Sequence, residues 1–196
     1  MRGRFIVFEG LDGCGTTTQI NLLEEYLKKR GIKVLITKEP TNNIIGGLIR
    51  GNLTKGWRAT PECLQLLFAA DRAYHLEYEI KPALKKRGVV LCDRYVLSSL
   101  AYGGLSIDID WLKEINKNFL IPDLVIFIDA SPKECIKRLK KTRFSLELFE
   151  EGSKLEKVRE NYYQTIKKYD RVKRINGDNP ISDVFRDIKR EIDKVL

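Results

Sequence analysis

A short apolar run, Arg4-Phe5-Ile6-Val7-Phe8, leads into a glycine-rich turn, and the turn leads into a segment with Ile20, Leu22, Leu23, Tyr26 and Leu27 at helical spacing. Strand, glycine turn and helix in that order gather unpaired backbone N–H groups and the positive end of a helix dipole into one concave bend, which suits a bound phosphate. Gly10-x-x-x-x-Gly15-Thr16-Thr17 keeps the spacing of the pattern Gly-x-x-x-x-Gly-Lys-Ser/Thr, where loop N–H groups cradle phosphates and the last hydroxyl meets magnesium. The candidate phosphate-binding residues are therefore Gly10, Leu11, Asp12, Gly13, Cys14, Gly15, Thr16, Thr17 and Thr18, with Thr17 as the magnesium hydroxyl. Thr16 stands where the pattern has lysine, so one charge is missing. A glycine-rich turn can also be a turn and nothing more, but the flanking elements and the register of the outer glycines favour phosphate.

Further β-type runs at Val34–Thr37, Val89–Cys92, Leu124–Ile128 and Val172–Ile175 alternate with helical stretches. That alternation predicts an α/β fold with a parallel sheet covered on both faces. The runs beginning at Phe5, Val89 and Leu124 are almost purely apolar and should be central. Helices are expected at Ile109–Asn118, Ser131–Lys141, Leu155–Tyr169 and Ile181–Leu196. Another should run from Pro61 to Arg87, bent at Pro82. With 196 residues, 43% of them hydrophobic, one core and one domain spanning 1–196 are expected. The charged, irregular stretch at about 140–153 reads as a mobile lid.

No run approaches the ~20 apolar residues of a membrane span, and the N-terminus enters a strand instead of a signal-type stretch. A soluble, cytoplasmic protein is expected. Cys14, Cys63, Cys92 and Cys135 lack metal-ligand spacing, so incidental thiols are expected, and the lone His75 makes a histidine metal centre untenable. The formal charge of +9 is concentrated between Lys133 and Arg174, which carry fourteen basic and seven acidic residues. Such a segment could cover a polyphosphate or be a solvated helix face. Nucleic acid is disfavoured because Phe144, Phe149, Tyr162, Tyr163 and Tyr169 fall mostly at core-type helical positions.

In an open parallel sheet the ligand crevice lies beyond the carboxyl ends of the strands. Glu9, Lys38-Glu39-Pro40, Asp93-Arg94-Tyr95, Asp129 and Asn176-Gly177-Asp178 all follow strands here. Together with Leu67-Phe68-Ala69-Ala70-Asp71-Arg72, Ser98, Ser99, Ala101-Tyr102-Gly103-Gly104 and Pro122-Asp123-Leu124, they resemble, in order and over essentially the whole chain, the thymidylate kinase family. The resemblance implies a three-layer P-loop kinase fold, a five-stranded parallel sheet flanked by helices, a homodimer, and transfer of the ATP γ-phosphoryl group to dTMP with Mg2+. It also implies roles. Phe68 would stack on thymine, with Arg72 on the same helical face bonding the base edge and lying near the monophosphate. Ser99 would reach the pyrimidine, and Tyr102 would lie against the sugar C2′. Asp12 would hold the 3′-hydroxyl and orient Arg94, whose planar fork would grip phosphate. Glu39 would belong to the dTMP site, and Thr17 and, through water, Asp93 or Glu9 would hold magnesium. A structural ion pair between Asp93 and Arg94 is the competing reading of those two residues.

Three departures stand out. Thr16 replaces the loop lysine, and Gly13 is not the arginine that some relatives carry in the loop. Leu148 precedes Phe149-Glu150 in the lid, where some relatives have arginine. Lys137, Arg138, Lys140, Lys141 and Arg143 are available cations, and Arg143 with Lys140 or Lys141 is the expected substitute. Two alternatives stay open: a kinase of another nucleoside monophosphate or of a nucleoside, and a nucleotide binder that has lost catalysis through Thr16.

Overall fold

The computed structural model describes residues 3–142 and 152–196. Among them, β1 (Arg4–Gly10), β2 (Val34–Lys38), β3 (Val89–Asp93), β4 (Leu124–Asp129) and β5 (Val172–Asn176) form one parallel sheet in the order β2-β3-β1-β4-β5. The three apolar runs are the three central strands. Phe5, Ile6, Val7 and Phe8 of β1 and Ile126 and Phe127 of β4 are essentially inaccessible to water. Each such large side chain contributes roughly 1.5–3 kcal/mol by burial.

Helices α1 (Thr16–Lys29) and α9 (Ile181–Ile192) pack on each other, as do α5 (Val96–Gly103) and α8 (Gly152–Ile166). The remaining helices are α2 (Ile44–Leu53), α3 (Pro61–His75), α4 (Lys81–Lys85), α6 (Ile109–Asn116) and α7 (Pro132–Thr142). Phe8 of β1 and Lys38 of β2 both pair with Asp93 of β3, so three strands end level and their following loops meet.

Two helices were not expected from the sequence. In α2 the pair Gly46-Gly47 lowers helix propensity by roughly 1 kcal/mol each. The Asn43 side chain nevertheless caps it by accepting from the Gly46 N–H at 2.9 Å. Gly46 is required because a Cβ there would lie 1.9 Å from the Thr41 carbonyl oxygen. The stretch containing Ser98, Ser99 and Tyr102 is likewise helical, as α5. The long helix expected from Pro61 to Arg87 is divided by a π-helical turn over Leu76–Ile80. Pro82 cannot donate to the carbonyl four residues back and its ring crowds that residue, Tyr78. The ladder widens just before it, and the Lys81 N–H reaches the Leu76 carbonyl.

Candidate active site

The glycine turn is a tight backbone loop. Gly13 and Gly15 have φ of 81° and 103°, angles that side chains rarely adopt. A Cβ on Gly13 would also lie 2.7 Å from the Cys135 carbonyl oxygen, so α7 leaves no room for an arginine at that position. Helix α1 begins at Thr16 without a side-chain cap, leaving the N–H groups of its first turn open to an anion. Thr17 Oγ donates to Asp93 Oδ2 at 3.1 Å. The other carboxylate oxygen, Asp93 Oδ1, is buried without a hydrogen-bond partner. A hydroxyl beside an unsatisfied carboxylate oxygen fits a hard, oxygen-seeking cation that keeps several other ligands. Among the described residues no cluster of three or more metal-ligating side chains exists, so such a cation would draw its remaining ligands from phosphate and water.

Beside the loop lies a cavity of about 240 Å³, bordered by Asp12, Glu39, Phe68, Arg72, Arg94, Ser99 and Tyr102, the expected acceptor residues. Arg94 does not pair with Asp93. Its fork donates to Asp12 Oδ1 at 2.7 Å, to the Gly10 carbonyl at 3.1 Å and to Ser98 at 3.2 Å, and it lies over the Tyr102 ring. Burial opposes that charge, but the oxygens of Tyr102 and Asp12 outweigh it and hold Arg94 more firmly protonated than usual. Tyr102 Oη donates to Asp12 Oδ2 at 2.9 Å and accepts from the Asp12 N–H at 3.1 Å, which fixes its ring in the cavity wall.

Phe68 is half-buried and faces the cavity. Arg72 is almost wholly buried, with its head group held by Glu39 (Nε to Oε2, 2.9 Å), Ser99 (Nη2 to Oγ, 3.0 Å) and Asn116. A guanidinium has five donors, more than these acceptors use, so it can still donate into the cavity. Two cavity residues, Arg50 and Gln65, were not foreseen from the sequence, and Ser98, named only as part of the resemblance, gains a role. Arg50 reaches in from the unexpected helix α2 and is tied to the carbonyls of Pro40 and Thr41. Gln65, one turn before Phe68 on α3, is buried with its carbonyl oxygen unsatisfied. Ser98 sits one turn beyond Arg94 and connects it to Glu9.

Glu9 is not available to magnesium. Its two oxygens accept from the N–H groups of Tyr95 and Ser98 and from the hydroxyls of Ser98 and Tyr162. Burial pushes this carboxyl up from the ordinary 4.5 to about 7, despite those donors and nearby Arg94. A folded-state pKa above the unfolded value means that the folded chain holds more protons between about pH 4.5 and pH 7. Stability should therefore fall as pH rises through that window, by on the order of 3 kcal/mol from this group, and Glu9→Gln should flatten the slope. Urea unfolding at several pH values checks this, and an unchanged slope in the variant overturns it. The thiols of Cys14 and Cys92, both buried, are pushed up, Cys14 to about 12, which leaves them unreactive as expected.

Of the expected substitute cations, Arg143 lies outside the described residues, as does most of the expected lid. Lys140 and Lys141 belong to the last turn of α7 and point into solvent. Arg138 approaches the loop directly, donating to the Cys14 carbonyl at 3.0 Å, the Gly177 carbonyl at 3.0 Å and Glu134 at 3.1 Å. It braces the loop from its outer, carbonyl side. His75 is buried between Thr37 and Glu39 and behaves as a support for Glu39, not as an exposed reactive group.

The family model described as thymidylate kinase matches residues 8–188. A probable thymidylate kinase of Pyrococcus abyssi is 43% identical over 197 residues, covering 96% of this chain and 95% of its own. A probable thymidylate kinase of Thermococcus gammatolerans is 40% identical over 196 residues, covering 95% and 94% respectively. A thymidylate kinase of a Thermoanaerobacter species is 37% identical over 203 residues, covering both chains completely.

Proposed function

The chain belongs to the thymidylate kinase family, and we propose that it transfers the γ-phosphoryl group of ATP to dTMP, giving dTDP and ADP. The observation that carries this reading is the cavity beside the phosphate loop, where an orphaned acceptor, Gln65 Oε1, and a cationic donor, Arg72, share one wall with Phe68. A thymine edge offers a carbonyl oxygen and an adjacent N–H, which complement donor and acceptor in that order. Cytosine offers an amino group and a bare nitrogen, which would leave both protein groups mismatched at a cost of roughly 1–3 kcal/mol each.

Phosphoryl transfer asks for positioning and charge neutralisation more than for covalent help. An oxygen of the dTMP phosphate forms the new bond to the γ-phosphorus. The bond to the β,γ-bridging oxygen breaks, and its electron pair departs on ADP. Arg94 would hold the group in flight, kept in place by Asp12 and Ser98. The open N–H groups of Gly13, Gly15, Thr17 and Thr18 would receive the donor phosphates. Thr17 and Asp93 would hold Mg2+, which when bound neutralises charge on the β and γ oxygens. Asp12 would also take the sugar 3′-hydroxyl.

Tyr102 would exclude a ribose 2′-hydroxyl. A coupled assay of ATP with dTMP, dUMP, UMP and dCMP tests this. dTMP should turn over best, dUMP about 10–200-fold less well for want of one methyl group, and UMP and dCMP worse still. Equal turnover of UMP and dTMP removes the role of Tyr102, and no turnover of dTMP removes the reading.

A homodimer acting in the cytoplasm completes the proposal. Leu66, Tyr74 and Tyr78 leave an apolar stripe along α3 and the π-helical turn, with Tyr78 65% exposed. The absence of disulfides among four cysteines suits a reducing compartment. A sedimentation-equilibrium mass of one chain would remove the dimer.

A further inference from the structure

We infer that Lys38 supplies to the γ-phosphate the positive charge that Thr16 cannot. The inference rests on the phosphoryl-transfer reading above and adds a donor-side residue to it. Two cavities meet at the carboxyl ends of β1, β2 and β3. One is the acceptor cavity, and the other, of about 350 Å³, is bordered by Thr17, Asp93, Thr41, Asn42 and Asn21. Among the described residues Lys38 is the cation that borders both. The transferring group must pass between an acceptor in the first and a donor anchored at Thr17, so a residue common to both cavities faces that path.

The other cations of the acceptor cavity are engaged. Arg72 is held by Glu39, Ser99 and Asn116, Arg50 by two backbone carbonyls, and Arg94 by Asp12, Gly10 and Ser98. Lys38 is exposed and forms no hydrogen bond or ion pair among the described residues. It is the last residue of β2, directly opposite Asp93 in the ladder, and Asp93 is in turn opposite Phe8 of β1. Two strand spacings, about 10 Å, therefore separate its Cα from the strand that enters the phosphate loop. A four-carbon stem ending in a mobile ammonium bridges most of that gap, and a phosphate chain leaving the loop closes the remainder. The loop lysine of the usual pattern comes from the helix side of the phosphates. Lys38 comes from the opposite side, which explains how Thr16 can be tolerated without rebuilding the loop.

The test uses the full chain and the variants Lys38→Ala, Lys38→Arg, Thr16→Lys and Thr16→Lys/Lys38→Ala. Steady-state kinetics with ATP and dTMP are combined with calorimetric titration of ATP and of ADP without acceptor. Lys38→Ala should lower kcat by ~10- to 10²-fold, the range expected for losing one charge-stabilising donor. KM for dTMP should stay near the parent value, ATP should lose affinity while ADP does not, and the unfolding midpoint should be unchanged because the side chain is exposed and unpaired. Lys38→Arg should keep most of the activity. Thr16→Lys should restore much of the activity lost in the Lys38→Ala variant, a non-additive pair. A Lys38→Ala enzyme within twofold of the parent in kcat and in ATP-over-ADP preference overturns the inference. So does a defect confined to KM for dTMP, which would place Lys38 on the acceptor phosphate. If the parent fails to phosphorylate dTMP, the functional reading fails, while the ATP and ADP titrations still decide whether Lys38 meets the γ-phosphate.

Discussion

Arg94→Ala should lower kcat by at least ~10²-fold while leaving the fold in place. The guanidinium joins the phosphate loop, through the Gly10 carbonyl, to the acceptor cavity, through Asp12 and Tyr102. Its backbone is left-handed, with φ of 72°, a conformation that non-glycine residues adopt at some cost and that here aims the side chain back across β1. Alanine at that position bears the same backbone cost, so the substitution removes the fork without relieving strain. Asp12 keeps its bond from Tyr102 Oη and stays partly solvated, which limits the loss of stability. Arg94→Lys retains charge but cannot reach Gly10, Asp12 and Ser98 together, and should recover only part of the rate. Turnover measured beside a thermal unfolding midpoint checks both variants. Near-normal turnover of Arg94→Ala would reduce Arg94 to a structural brace.

The strands, the central position of three of them and the outline of the site were legible because their signals are local. A run such as Val89-Val90-Leu91-Cys92 admits few structures, and a residue just after a buried parallel strand has one edge of the sheet to face. What escaped the sequence depends on contacts between distant segments. The family resemblance offered Glu9, just after a strand, to magnesium, yet four donors from Tyr95, Ser98 of α5 and Tyr162 of α8 occupy it. The partner of Arg94 is Asp12 and not its neighbour Asp93, because successive residues leaving a strand point to opposite sides. Helix α2 was hidden by Gly46-Gly47, of which Gly46 serves a close approach to Thr41, and with it Arg50. Gln65 looked like any helical glutamine. Its importance appears only once Gly103, where a Cβ would come within 3.0 Å of the Gln65 side chain, is seen to clear its place beside Leu112. The cation for Thr16 was sought in the basic segment because charge density there is high. The geometry directs attention to a single lysine on the opposite side of the loop.

Arg72→Met should be the most destabilising of the site substitutions and should also raise KM for dTMP. Arg72 is buried to the same degree as the core phenylalanines and stands over the rings of Tyr95 and Phe119, so its loss removes packing as well as charge. Its main partner, Glu39, is itself only 4% exposed, with Oε2 within 2.8–2.9 Å of Nη2 and Nε. Removing one member of a buried ion pair leaves the other uncompensated, which typically costs about 3–5 kcal/mol. Asn116 and Ser99 lose their shared partner at the same time. The double variant Arg72→Met/Glu39→Gln separates the two effects. It no longer strands a charge and should regain a large part of the stability, yet it still lacks the cationic donor facing the acceptor cavity and should keep the raised KM. Urea unfolding read alongside the kinetics distinguishes the outcomes. If the double variant recovers both stability and affinity, Arg72 serves the fold through Glu39 and does not touch the acceptor. If neither recovers, the packing of the guanidinium between Tyr95 and Phe119 matters more than its charge, because an aliphatic side chain cannot reproduce that planar contact.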